Sequence, residues 1–191
     1  MCIRDRNKKG ADILRAWTAS TDFRNEMSFS EESLERTADA YRRIRNTIRF
    51  LMGNLNDFDF QKDKISGDRY SELDKWIVLK TKDLQTEVIK DFENYDIHFA
   101  FQKILNFCTN ELGGFYLDII KDRLYTSKRD GSARRSAQSA MHQIYTSLLT
   151  LVAPILSFTA EESYLEKNGN GNSIFLSEWF SEWEKFDQKI D

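Results

Sequence analysis

Apolar residues recur along this chain at steps of three and four, the spacing that gathers them on one face of an α-helix. From Ser30 onward they fall at Leu34, Ala38, Tyr41, Ile44, Ile48, Leu51, Met52 and Leu55. A first helix is expected to start near Ser30. A serine there can cap free N–H groups, and Glu31 and Glu32 suit the positive end of the dipole. Gly53 and Asn54 weaken its end. The second helix runs from near Ser71 to about Phe92, with Leu73, Trp76, Ile77, Leu79, Leu84, Val88 and Ile89 on its apolar side. The third starts at Asp96, read as its cap, and continues through Phe99, Ile104, Leu105 and Cys108 to about Leu112. Gly113-Gly114 invites a kink or a close helix crossing, and Phe115 to Tyr125 resumes the pattern. The fourth starts near Ser132 and carries Ala137, Ala140, Met141, Ile144, Leu148, Leu151 and Val152. Pro154 removes a backbone donor, so this helix kinks or restarts there. Ile155 to Leu165 continues it, Lys167 to Asn172 closes it, and Ile174-Phe175-Leu176 reads as a short extended segment. Four or five helices of roughly 20 residues with short loops make an all-α antiparallel helix bundle.

Composition narrows the class. The chain has 191 residues, 40% hydrophobic and 31% charged, enough for one core. One proline and eight glycines exclude a collagenous or proline-linker protein. No apolar run approaches the roughly 18 residues of a membrane span, and the N-terminus lacks the apolar core of a secretory signal. Cys2 and Cys108 stand too far apart in sequence for a disulfide framework or a zinc site, which fits a reducing, cytoplasmic setting.

Charge is segregated although the net value is only −3. Tyr41 to Arg49 holds Arg42, Arg43, Arg45 and Arg49 without an acid, a local +4. Lys121 to Arg135 holds Lys121, Arg123, Lys128, Arg129, Arg134 and Arg135 against Asp122 and Asp130, again +4, leaving −11 elsewhere. Such asymmetry suits a surface turned to a polyanion. At 100° per residue Arg42, Arg45 and Arg49 share one flank of the first helix, and Arg43 points nearly the opposite way. A strip of guanidinium groups at one-turn spacing can grip successive phosphates or stack on unpaired bases. The competing reading ties Arg45 to a carboxylate such as Asp118 or Asp122, because arginines at a core edge are usually paired. The second cluster is a basic loop whose Arg134 and Arg135 oppose a helix dipole. It either presents charge to a partner or is a solvated face. Asp118 and Asp122, one turn apart, are read as an ion-paired core seam with Lys121 and Arg123 rather than an acid–base pair. His98 and His142 lack partners for metal or triad chemistry, Cys108 reads as a small core hydrophobe, and no phosphate-binding glycine loop occurs. The residues alone describe a non-catalytic helical binding module with two basic surfaces.

Several strings then resemble one family. Gly10-Ala11-Asp12-Ile13-Leu14-Arg15-Ala16-Trp17 with Ala19-Ser20 is similar to the exit from the catalytic domain of bacterial isoleucyl-tRNA synthetases. Ala38-Asp39-Ala40-Tyr41-Arg42-Arg43-Ile44-Arg45-Asn46-Thr47 with Arg49-Phe50-Leu51 resembles the first helix of their anticodon-binding domain. Phe115 to Thr126, Ala133-Arg134-Arg135-Ser136, and Ala153-Pro154-Ile155-Leu156-Ser157-Phe158-Thr159-Ala160-Glu161-Glu162 resemble it too. The proline-containing string is shared with valyl, leucyl and methionyl relatives. Phe115 to Thr126 and the arginine string point to the isoleucine enzyme.

The resemblance implies the helical anticodon-binding bundle of class I synthetases. Its partner would be the anticodon stem-loop of isoleucine tRNA, without DNA or membrane, and the protein would be a cytoplasmic monomer. By position, Arg42, Arg43, Arg45, Arg49, Lys121, Arg123, Lys128, Arg129, Arg134 and Arg135 would contact tRNA. Residues 1–6 do not resemble the family and are read as a non-native leader. Residues 7–27 form the exit segment from the catalytic domain, 28–168 the bundle, and 169–191 an extended segment towards a C-terminal module. The family's two ATP-site signatures are absent from the chain, so it is expected to be a fragment without catalytic residues, metal or cofactor of its own. ATP with magnesium would belong to the missing catalytic domain and zinc to the missing C-terminal module. The alternatives are a valyl or leucyl relative and a helical protein–protein interaction module.

Overall fold

A computed structural model describes residues 9–169 and 171–186. The leader assigned to residues 1–6 and the end of the 169–191 segment lie outside the described residues. Helix α1 (Ala11–Ala19) precedes α2 (Glu31–Asn54), the single turn α3 (Phe60–Asp63) and α4 (Glu72–Glu93). A continuous run follows: α5 (Ile97–Asn106), a π-helical stretch (Phe107–Tyr116) and α6 (Leu117–Thr126). Then come α7 (Ser132–Val152) and α8 (Ser157–Asn168). The described residues contain no strand.

Serines set the starts of the long helices. Ser30 Oγ accepts from the Ser33 N–H at 3.1 Å while Ser33 Oγ accepts from the Ser30 N–H at 3.2 Å, a reciprocal cap. Ser71 Oγ likewise accepts from the Asp74 N–H at 3.3 Å. Asp96 stands at the N-cap of α5 as expected, but its side chain makes no capping hydrogen bond. Its carboxylate instead accepts from Arg24 Nη2 at 2.6 Å, because the segment after α1 folds back over the α4–α5 corner.

Successive long helices run antiparallel. One pole gathers the end of α2, the starts of α4 and α7, and the ends of α6 and α8. The other holds α1, the α4–α5 corner and the α7–α8 break. The core is built from Ile44, Ile48 and Leu51 of α2, Ile77 of α4, Ile104, Leu112, Tyr116 and Ile120 of the central run, and Met141, Ile144 and Leu148 of α7. Helix α7 is the axis of the bundle. It packs on α2, α4, α6 and α8, so its polar residues are buried with its apolar ones. Each needs an internal partner. Ser147 Oγ donates to Gln85 Oε1 at 2.8 Å, Gln143 Nε2 to Tyr70 Oη at 3.0 Å, and Gln138 Nε2 to the Asn54 carbonyl at 3.0 Å.

Two breakers act differently from one another. At Gly113-Gly114 the chain stays helical and widens, in a π-helical stretch through Phe107–Tyr116. A Cβ on Gly113 would lie 3.0 Å from the Cys108 carbonyl oxygen, and one on Gly114 3.1 Å from that of Thr109. The wide turn therefore uses the missing side chains. Pro154 does end a helix, and the chain restarts at Ser157. Helix α1 clamps both sides of that break. Arg15 Nη2 and Nε donate to the Pro154 and Ile155 carbonyls at 2.7 and 2.9 Å. Asp12 accepts from the Thr159 N–H at 2.7 Å, where a carboxylate suits the start of α8. The segment assigned as an exit thus packs onto the bundle.

Ile174–Leu176 is a 3₁₀ turn rather than extended, because Glu161 Oε2 accepts from the Ile174 N–H at 2.9 Å and curls it. Beyond it the chain straps across α4 and α7. Gln85 Nε2 donates to the Phe180 carbonyl at 2.8 Å, and the Glu184 N–H donates to Gln143 Oε1 at 2.8 Å. No helix of the described residues is long and apolar enough to cross a membrane.

Candidate nucleic-acid interface

Helix α2 buries Ile44, Thr47 and Ile48 and leaves its arginines outside. Arg42, Arg43 and Arg49 are exposed and Arg45 is half-buried. Arg42 pairs with Asp39 one turn back. Among the described residues Arg43, Arg45 and Arg49 form no ion pair. The pairing expected of Arg45 with Asp118 or Asp122 is not formed. Asp118 lies on the solvent side of α6 and pairs with Lys121 at 2.8 Å, and that contact holds its carboxyl below the usual range. The expected ion-paired core seam at Asp118 and Asp122 is therefore corrected: both are exposed.

The buried ion pair lies elsewhere. Asp74 of α4 is fully buried and meets Arg123 of α6 through Nη1 and Nη2, at 2.9 and 2.8 Å. Tyr116 Oη donates to Asp74 at 2.7 Å, Ser71 Oγ donates at 2.7 Å, and Ser136 Oγ completes the set. Burial, and then the Asp74 charge, push the Tyr116 phenol well above its usual value. A buried carboxylate with this many donors fastens α4, α6 and α7 together.

The Lys121–Arg135 cluster divides in the same way. Arg134 forks onto Asp57 at 2.6 and 3.1 Å and donates to the Leu124 carbonyl at 3.0 Å. The Arg134 hydrogen bond, helped by Gln138, holds the Asp57 carboxyl down at about 2. Arg135 is buried, with Asp130 at 3.0 Å, Asp63 at 3.4 Å and Gln138 Oε1 at 2.9 Å. Arg123, Arg134 and Arg135 thus serve as fasteners between elements. Lys121, Lys128 and Arg129 keep an open side. Arg129 reaches Asp57 at 3.3 Å, and Lys128 forms no ion pair among the described residues. Exposed Tyr125 sits on the same segment.

Sequence reasoning missed the loop between α2 and α4. It presents exposed Lys62, Lys64 and Arg69 near the basic loop, to which Asp63 is tied through Arg135. The signal was two lysines flanking an acid between Phe60 and Ile65. Phe60 stacks on His142 at 4.2 Å, and burial lowers that imidazole to about 4. Cys108 is buried, and burial pushes its thiol up to about 12, which removes thiolate chemistry at neutral pH. Among the described residues no three His, Cys, Asp or Glu side chains are placed to hold a metal ion. What the α2 strip and the basic loop offer is guanidinium, ammonium and aromatic groups, the chemistry of phosphate and base contact.

Comparison with known proteins agrees with that chemistry. The family described as the anticodon-binding domain of tRNA ligase matches residues 74–191. The chain is 51% identical over 177 residues to the isoleucine–tRNA ligase of Ruthia magnifica subsp. Calyptogena magnifica, covering 92% of this chain and 19% of that protein. It is 52% identical over 178 residues to the isoleucine–tRNA ligase of Legionella pneumophila strain Paris, covering 93% and 19%. The Shewanella sp. strain MR-4 isoleucine–tRNA ligase is 51% identical over 177 residues, covering 92% and 19%. The chain spans about a fifth of the length of these relatives. With more than half of its residues matched and the fold all-helical, the chain belongs to the family of anticodon-binding domains of tRNA ligases.

Proposed function

We propose that the chain grips the anticodon stem-loop of isoleucine tRNA as one part of an isoleucine–tRNA ligase, and that other parts of the longer protein activate isoleucine with ATP. The observation that carries this reading is the arginine strip of α2, exposed except for half-buried Arg45 and, apart from Arg42, without a carboxylate partner among the described residues. A guanidinium not neutralised at home can meet a phosphate bidentately or stack on a base. Arg42, Arg43, Arg45 and Arg49 are assigned to such contacts, with Lys121, Lys128 and Arg129 as a second group at the pole. Arg123, Arg134 and Arg135 act indirectly, by holding the elements that present the others. ATP, magnesium and zinc are assigned to regions of the longer relatives outside this chain. The chain alone is expected to be inactive in isoleucine-dependent ATP–pyrophosphate exchange.

Fluorescence anisotropy with the isoleucine anticodon stem-loop tests the reading. A changed anticodon serves as control, at several salt concentrations. The expected result is binding that falls with salt, with a log–log slope of about −0.7 to −0.9 per phosphate contacted. Preference for the isoleucine anticodon supports base reading by this bundle. A folded chain without RNA affinity overturns the proposal in favour of a protein-interaction module, and preference for a valine or leucine anticodon reassigns the tRNA.

A further inference from the structure

The arginine strip is not the whole cationic surface of α2. Arg36 and Arg43 stand seven residues apart and so stack on one flank, about 10 Å apart along the axis. That flank lies roughly 100–180° round the helix from Arg42, Arg45 and Arg49. It forms one wall of a groove between α2 and the run from α5 into the π-helical stretch. The groove consists of two hollows of about 430 and 280 Å³. Both are lined by Arg36, Ala40 and Leu105, so they adjoin over the small Ala40 side chain, and Trp17, Ser20 and Thr21 wall the far side of the wider one. Arg36 touches Glu32 only loosely at 3.8 Å, and both side chains are exposed. Arg43 forms no ion pair among the described residues. Asp39, the carboxylate lining the narrower hollow, is already held by Arg42.

The opposite wall carries two polar groups without partners. His98 lines the wider hollow and Thr109 the narrower. His98 Nδ1 and Thr109 Oγ1 are buried and lack a hydrogen-bond partner among the described residues. Thr109 is an exception in this protein. Thr37, Thr47, Thr81, Thr86, Thr126 and Thr146 each donate their hydroxyl to the carbonyl four residues back. Thr109 lies in the widened turns of Phe107–Tyr116, where the backbone geometry differs, and its hydroxyl makes no such bond. An unmade hydrogen bond at a buried group is a cost that folds normally avoid, and π-helical turns recur at functional sites.

We infer that this groove seats a sugar–phosphate strand of RNA, with Arg36 and Arg43 on phosphate oxygens, and with Thr109 Oγ1 and His98 Nδ1, once side-chain rotation turns them from their buried positions to the groove surface, hydrogen-bonding to the same backbone. The inference rests on the tRNA-binding reading and adds a second track on the other side of α2. Two guanidinium groups two turns apart, facing a hydroxyl and an imidazole across a channel, match a polyanion with hydroxyls better than an apolar peptide.

The test uses the 191-residue chain and the RNA stem-loop, with helicity checked by circular dichroism for each variant. The R36Q/R43Q double variant is expected to lower the magnitude of the salt slope by about 1.5, and Arg43→Lys to keep it. Thr109→Val, nearly isosteric, is expected to weaken binding by roughly 3–10-fold with the slope unchanged, because a lost neutral contact releases no counterions. If R36Q/R43Q and Thr109→Val both bind as the parent does while R42Q/R49Q loses slope, the groove assignment falls and tRNA binding stands. If the folded parent binds no RNA, both readings fall.

Discussion

The two arginine-rich stretches carry the same local charge of +4 and have opposite fates. On α2 the arginines project from a helix whose apolar face is complete without them, and their neighbours supply one carboxylate, Asp39. Between Lys121 and Arg135 the chain turns from α6 into α7, and three arginines are drawn inward onto Asp74, Asp57, Asp63 and Asp130. Local charge therefore does not report surface charge. The distant acids that meet a cluster decide whether it is a fastener or a contact.

The sharpest way to break this contrast is at Asp74. Asp74→Ala leaves half-buried Arg123 and buried Tyr116 without their shared acceptor, and about 2–4 kcal/mol of stability should be lost in urea unfolding. A cost below about 1 kcal/mol would mean that the pair is not a fastener. Arg134→Ala comes next. It takes from Asp57 its forked partner, leaving Gln138 and Arg129, and frees the Leu124 and Arg129 carbonyls, at about 1–3 kcal/mol.

The same variant alters acid unfolding. Asp57 is held at about 2 against an ordinary 3.8, so its contribution is complete above pH 3.8 and disappears as pH falls towards 2. Arg134→Ala should flatten that part of a stability–pH curve. His142 acts in a higher window. Its imidazole sits at about 4 in the fold against 6.5 ordinarily, so the unfolded chain takes up the proton first. Stability should fall as pH drops from 6.5 towards 4, and His142→Phe should remove that slope while preserving the stack on Phe60.

The smallest effect on stability, and the one that tests the other half of the comparison, belongs to α2. Arg42→Gln and Arg49→Gln should change unfolding free energy by less than about 0.5 kcal/mol, as exposed substitutions do. Each should lower the magnitude of the RNA salt slope by about 0.7–0.9. A stability loss as large as that of Arg134→Ala would make the strip structural as well.

Much of the fold was legible because period and capping are local. The steps of three and four placed α2, α4, α7 and the central run, and Ser30 and Ser71 marked helix starts to the residue. Pro154 ended α7 as its missing donor requires. The short α1 helix and the 3₁₀ turn at Ile174 were not read, since each is held by a distant group, Thr159 and Glu161, rather than by its own pattern. The single turn α3 is capped locally by Asp59 but is too short to show a period. Gly113-Gly114 announced an irregularity but not its kind.

At the candidate site the sequence identified every cationic residue of the two clusters and could not sort them. Arg123 and Lys121 are two residues apart, yet one meets a buried aspartate and the other a solvent-exposed one. Helix content, antiparallel order and the location of positive charge follow from the sequence by itself, because periodicity, capping and composition act over a few residues. Which arginines remain free, which helix lies at the axis, and which hydroxyl is left unbonded were decided only in the tertiary structure. Each depends on a partner far away in the chain, and only folding sets that distance.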